Sequence, residues 1–100
     1  MSELIFTYKE KDDEFIIQIK IWAIDKTSTN PDGVSYSLVL IKDKKRIVGY
    51  DTFEGHQKMF GIHHKHIKMK IFTYEFRDVW KLIEDFMDDV KKIKEESKWK

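Results

Sequence analysis

From Phe15 onward the chain alternates between apolar and polar positions. Phe15, Ile17, Ile19, Ile21 and Ala23 fall on one side, and Gln18, Lys20 and Trp22 on the other. That period of two is the pattern of a half-buried strand. The segment DKTSTNPDG follows, carrying Asn-Pro and Asp-Gly turn signals and the chain's only proline, Pro31. A second strand is expected over Val34 to Ile41, with Val34, Tyr36, Leu38 and Leu40 inward. The polar run Lys42 to Lys45 has the length of a hairpin connector. A third strand then runs from Arg46 to about Thr52, with Val48 and Tyr50 as its inner pair. Residues 53–61 contain Gly55 and Gly61 and read as a loop. A fourth strand is expected from His63 to about Phe72, with Ile67, Met69 and Ile71 on one face and His64, His66, Lys68 and Lys70 on the other. Residues 1–13 fit either an edge strand or a loose arm.

After residue 73 the period changes. Phe76, Val79, Trp80, Ile83, Phe86, Met87, Val90 and Ile93 recur every three or four positions, one apolar helical stripe. The spacing predicts a helix over 74–96, with Thr73 as N-cap, Glu75 and Asp78 in the first turn, and lysines crowding the end. The sum is an α+β fold in one domain, 1–100: an antiparallel sheet of four to five strands over 14–72, extended if 1–13 adds an edge, and one C-terminal amphipathic helix packed on one face. A single helix covers only one face of such a sheet. The other face is left for solvent, substrate or a partner, a second copy included.

Composition narrows the function classes. There is no cysteine among the 100 residues, so disulfides and cysteine-based zinc sites are excluded. The first residues lack the pattern of a signal peptide, and the apolar runs are too short for a membrane span, so a cytoplasmic location is expected. The net charge of +1 hides an uneven distribution. No acid lies between Glu54 and Glu75, a stretch holding Lys58, Lys65, Lys68, Lys70 and all 4 histidines. The helical segment that follows is acidic. A basic surface suits an anionic partner such as RNA.

Strand alternation sends His64 and His66 to the open face, and pairing of the third and fourth strands brings Asp51 beside His64, provided no bulge intervenes. His63 turns inward and reads as structural. Lys20 and Trp22 share the open face. Two imidazoles and a carboxylate there suit acid–base cleavage of RNA without a metal. His64 and His66 would exchange protons, Asp51 would orient them, and Lys65 or Lys68 would neutralise the phosphorane. His56, Lys68, Lys20 and Trp22 are the candidate substrate-binding residues, Trp22 by stacking on a base. A second reading makes Asp51, His56, His64 and His66 a site for a divalent metal such as zinc. A third is a protein-binding module with no catalysis. No Walker loop, G-x-G-x-x-G, G-x-S-x-G or H-E-x-x-H is present.

The stretch Tyr50-Asp51-Thr52-Phe53-Glu54-Gly55-His56, followed by Ile62-His63-His64-Lys65-His66, resembles the TumE-like family of prokaryotic toxin–antitoxin systems. Asp51 matches the family's aspartate, His56 its middle histidine, and His63 to His66 its terminal run. Thr52 stands where the family usually has asparagine, and Ile62 where proline is common. The resemblance implies strands followed by a closing helix, a toxin acting on RNA, and a cognate antitoxin as partner.

Overall fold

The computed structural model describes residues 3–12, 14–26, 32–52 and 63–98. Six strands, β1 (Glu3–Lys11), β2 (Phe15–Ala23), β3 (Val34–Lys42), β4 (Lys45–Thr52), β5 (His63–Ile67) and β6 (Lys70–Thr73), precede one helix, α1 (Val79–Lys98). The strands form one antiparallel meander in chain order, so each pairs with its sequence neighbours. The N-terminal segment is thus a strand at the sheet's edge, largely exposed, with Phe6 reaching the core.

The core lies between one sheet face and α1. Ile17, Ile19, Ile21, Tyr36, Leu38, Leu40, Val48 and Tyr50 meet Leu82, Phe86, Val90 and Ile93 there, all buried. Alternation in β2, β3 and β4 assigns this inner set as expected. The two-residue turn between β3 and β4 places Asp43 and Lys44 at φ 52° and 65°, the positive values that a tight hairpin turn requires.

Three expectations are corrected. The stretch 63–72 is a hairpin and not one strand: β5 stops at Ile67, Lys68 turns with φ 58°, and β6 runs back. The amide of Lys68 donates to the carbonyl of Ile47 at 2.7 Å, which anchors the turn to β4. Met69, at the tip, is 99% exposed and not part of the core. The reversal pairs Ile71 with His66 and Lys70 with Ile67, so these two residues exchange the faces expected of them.

The helix begins at Val79. Asp78 caps it, accepting a hydrogen bond from the Lys81 amide at 2.8 Å on Oδ1, the role expected of Thr73. Residues 74–78 carry no regular secondary structure, and their Tyr74 and Phe76 pack against the core from outside the helix. The apolar stripe is also narrower than the periodicity suggests. Trp80 is 77% exposed and Met87 lies at the surface, while Leu82 takes the central place.

Candidate active site

β4 and β5 pair Asp51 with His64 and Gly49 with His66. Tyr50 and Val48 point to the core, so Asp51, His64 and His66 share the face turned away from α1. Asp51 Oδ1 lies 3.6 Å from His66 Nε2 and 4.0 Å from His64 Nδ1, between the two imidazoles. This oxygen is buried and has no hydrogen-bond partner among the described residues. The three side chains differ in reach. Asp51 is 27% and His66 17% exposed, while His64 is fully buried. His66 can therefore meet a substrate directly, and His64 backs the carboxylate from within. The expectation of two imidazoles side by side in solvent is corrected to that extent.

A residue that alternation misses completes the cluster. With Val48 and Tyr50 inward, strict alternation would send Arg46 inward too. The β3–β4 register instead slips by one: Leu40 pairs with Val48 but Ile41 pairs with Arg46, leaving Ile47 as a bulge. The extra residue turns Arg46 to the open face. Its guanidinium Nη1 comes 3.7 Å from Asp51 Oδ2 and is half exposed. The side chain passes over Gly49. A methyl at Gly49 would stand 2.9 Å from Arg46 Cδ and 3.2 Å from Nε, so the glycine provides the slot in which the arginine lies.

The remaining candidates are spread more widely. Lys20 pairs with Ser37, and Ser37 with Asp51, which puts Lys20 in the same cross-strand row as Asp51 and His64. Two strand spacings separate it from Asp51, about 10 Å. Trp22 is half-buried on the same face, opposite Ser35. Lys65, by contrast, pairs with Tyr50 and lies on the helix side of the sheet. Its ammonium sits 3.5 Å from Asp89 Oδ2 and over the Tyr50 ring, within a 280 Å³ cleft also lined by Tyr74 and Asp85. Lys68 occupies the β5–β6 turn, 3.7 Å from Glu96 of α1. Both lysines are paired with acids other than Asp51: Lys65 shares the helix side with Tyr50, and the expectation that Lys68 lies on the open face of a strand is corrected. His56 lies outside the described residues.

His63 turns inward, as expected. Its Nε2 lies 2.8 Å from Asp32 Oδ2 and its Nδ1 2.9 Å from the Tyr36 hydroxyl. A carboxylate only accepts, so Nε2 carries the proton and Nδ1 accepts from Tyr36. The ring stacks on Phe76 at 4.8 Å with planes 7° apart. Burial, with Asp51 and Asp32 nearby, raises the Tyr36 phenol above its ordinary range and keeps it a donor.

A sequence profile of the family described as toxin TumE matches residues 2–94. The chain belongs to the TumE toxin family. No curated protein and no solved structure matches it. The matched span takes in all six strands and most of α1, and with them Arg46, Asp51, His64 and His66. Membership makes this TumE relative the toxin component of a toxin–antitoxin pair, with a cognate antitoxin as its counterpart. Among the described residues, no helix is long and apolar enough to cross a membrane. Nor, among them, do three or more histidine, aspartate or glutamate side chains converge closely enough to hold a metal ion. The four-residue metal set therefore depends on His56.

Proposed function

We propose that this TumE-family toxin is a cytoplasmic endoribonuclease that cleaves RNA without a metal, using His66 for proton transfer and Asp51 to orient it. The observation that carries the reading is the buried Oδ1 of Asp51, free of hydrogen bonds among the described residues and 3.6 Å from His66 Nε2. That separation is long for a hydrogen bond, and such contacts tighten when substrate binds. With Nε2–H turned to the carboxylate, Nδ1 keeps its lone pair for the substrate.

The ribose 2′-hydroxyl attacks the adjacent phosphorus and loses its proton to His66 Nδ1. The bond from phosphorus to the 5′ oxygen then breaks, and the imidazolium returns that proton to the leaving oxygen. The products are a 2′,3′-cyclic phosphate and a 5′-hydroxyl end. Asp51 stabilises the transient imidazolium, and buried His64 holds Asp51 in place. Lys20, in the same row, attracts the RNA backbone, Trp22 offers a stacking surface, and His56 joins the substrate-binding set. The antitoxin restrains this activity in the cell.

The test is cleavage of single-stranded RNA by the purified protein, with and without EDTA. Cleavage leaving cyclic phosphate ends, insensitive to EDTA and reduced about 10²–10⁴-fold by His66→Ala, is the expected result. Intact RNA with folded wild-type protein would overturn the reading. Loss of activity in EDTA would transfer the chemistry to a metal set that includes His56.

A further inference from the structure

We infer that Arg46, laid across Gly49 by the β4 bulge, is the phosphate-binding residue of this site, and that the bulge and the glycine exist in the fold to deliver it. The inference rests on the ribonuclease reading for its substrate, a phosphodiester, but its geometry stands apart from any cleavage step. Cleavage concentrates negative charge on the phosphorane oxygens, and a cation must sit beside the reacting imidazole to meet it. The lysines nearest in sequence to the histidines are engaged elsewhere, Lys65 with Asp89 and Lys68 with Glu96. Among the lysines and arginines of the described residues, Arg46 is the one that reaches Asp51, at 3.7 Å, while keeping 47% of its side chain exposed. A guanidinium presents several N–H groups in one plane, so it can hold Asp51 with one edge and a phosphate with the other.

Two features of the backbone bring it there. The bulge at Ile47 reverses the facing of Arg46, and the displaced Ile47 carbonyl is taken up by the Lys68 amide at 2.7 Å. Gly49 sits buried mid-strand, where glycine weakens a sheet. The space its missing side chain leaves is filled by the Arg46 stem, with Cδ 2.9 Å and Cζ 3.5 Å from where a Cβ would be. The clashing atoms belong to the outer part of a flexible chain. Gly49→Ala therefore displaces the arginine while leaving the strand intact.

The experiment measures binding of a short single-stranded DNA oligonucleotide, uncleavable because it lacks 2′-hydroxyls, across a series of salt concentrations. RNA cleavage is followed in parallel. Wild type, Arg46→Ala, Arg46→Lys, Gly49→Ala and the Arg46→Ala/Gly49→Ala double variant are compared, each with its thermal unfolding. Removing one phosphate-neutralising cation lowers the slope of log affinity against log salt by about 0.7 for a single strand. Arg46→Ala and Gly49→Ala are both expected to show that decrease and to slow cleavage about 100-fold or more. The double variant should be no worse than Arg46→Ala alone, because the glycine acts only through the arginine. Arg46→Lys should recover the salt slope while cleavage stays impaired, since a lysine lacks the planar fork. An unchanged salt slope in Arg46→Ala overturns the inference even if RNA is cleaved, as does additive loss in the double variant. An Arg46-dependent slope with intact RNA supports the phosphate site and overturns only the ribonuclease reading.

Discussion

Burying a carboxylate oxygen without a hydrogen bond costs on the order of 1–3 kcal/mol, and Asp51 Oδ1 is such an oxygen among the described residues. A purely structural aspartate would be expected to turn that atom toward a donor. Here it is held between two imidazoles, at distances a bound substrate can shorten. His63, one residue away from His64, shows the opposite treatment. Both its nitrogens are bonded, and its ring is stacked on Phe76. Adjacent histidines thus serve different ends because strand alternation sends them to different faces. Lys65 follows His63 to the helix side, where its ammonium partners the buried Asp89. Lys65→Met is therefore expected to leave RNA cleavage per folded molecule unchanged. It should lower stability in urea denaturation by about 1–3 kcal/mol, because Asp89 loses its counter-charge. A loss of turnover at unchanged stability would return Lys65 to the chemistry.

At the scale of elements, β2, β3 and the inner face of β4 are legible in the sequence because every second position of each is apolar without a gap. The Asp51–His64 neighbourhood follows from that alternation plus one hairpin. Arg46 is not legible. A one-residue bulge inverts its facing, and nothing in the local run Lys45-Arg46-Ile47-Val48 marks the slip. The β5–β6 hairpin is hidden for a related reason: its turn is made by Lys68 and Met69, without glycine, asparagine or proline. The helix starts later than its periodicity suggests because Tyr74 and Phe76 continue the apolar spacing while belonging to an irregular lead-in. Two phenols tie α1 to the sheet and to that lead-in. Tyr50 donates to Asp89, and Tyr74 donates to Asp85 at 2.6 Å. Burial first, and the partnered carboxylates next, raise both phenols above the ordinary tyrosine range. An unfolded chain ionises its tyrosines near pH 10, while the folded chain holds these protons to higher pH. The stabilisation is complete below about pH 10 and is lost as pH rises beyond it. Urea midpoints should thus be level from neutral pH to about 9 and fall steeply above about 10. Phenolate absorbance of Tyr50 and Tyr74 should appear only with unfolding. A midpoint that stays level through that range would show that these bonds do not hold the helix.

Across the whole molecule the meander sorts charge between two surfaces. The register carries Lys9 opposite Gln18, Lys11 opposite Ile16, and Lys20 opposite Thr7, so three lysines share the open face with Arg46. No ion pair engages Lys9, Lys11 or Lys20 among the described residues. The far surface belongs to α1, where the exposed Glu84, Asp88, Glu95 and Glu96 are interspersed with Lys81, Lys91 and Lys92. A polyanion approaching this toxin meets unpaired cations on the open face and nearly balanced charge on the helix side, which both orients the encounter and speeds it. The edge strand β1 contributes little to the core, yet two of its residues extend the cationic track away from Asp51. Reversing Lys9, Lys11 and Lys20 to glutamate should weaken binding of a single-stranded oligonucleotide and flatten its salt dependence by up to about 0.7 for each phosphate no longer neutralised. Reversing Lys70, Lys91 and Lys92, which lie on the helix side, changes net charge by the same amount and should leave the salt dependence near wild type. Equal losses from the two sets would mean that net charge alone governs binding and that the open face is not where RNA lies. A loss confined to the first set would trace the strand from His66 across β4, β3 and β2 to the sheet's edge.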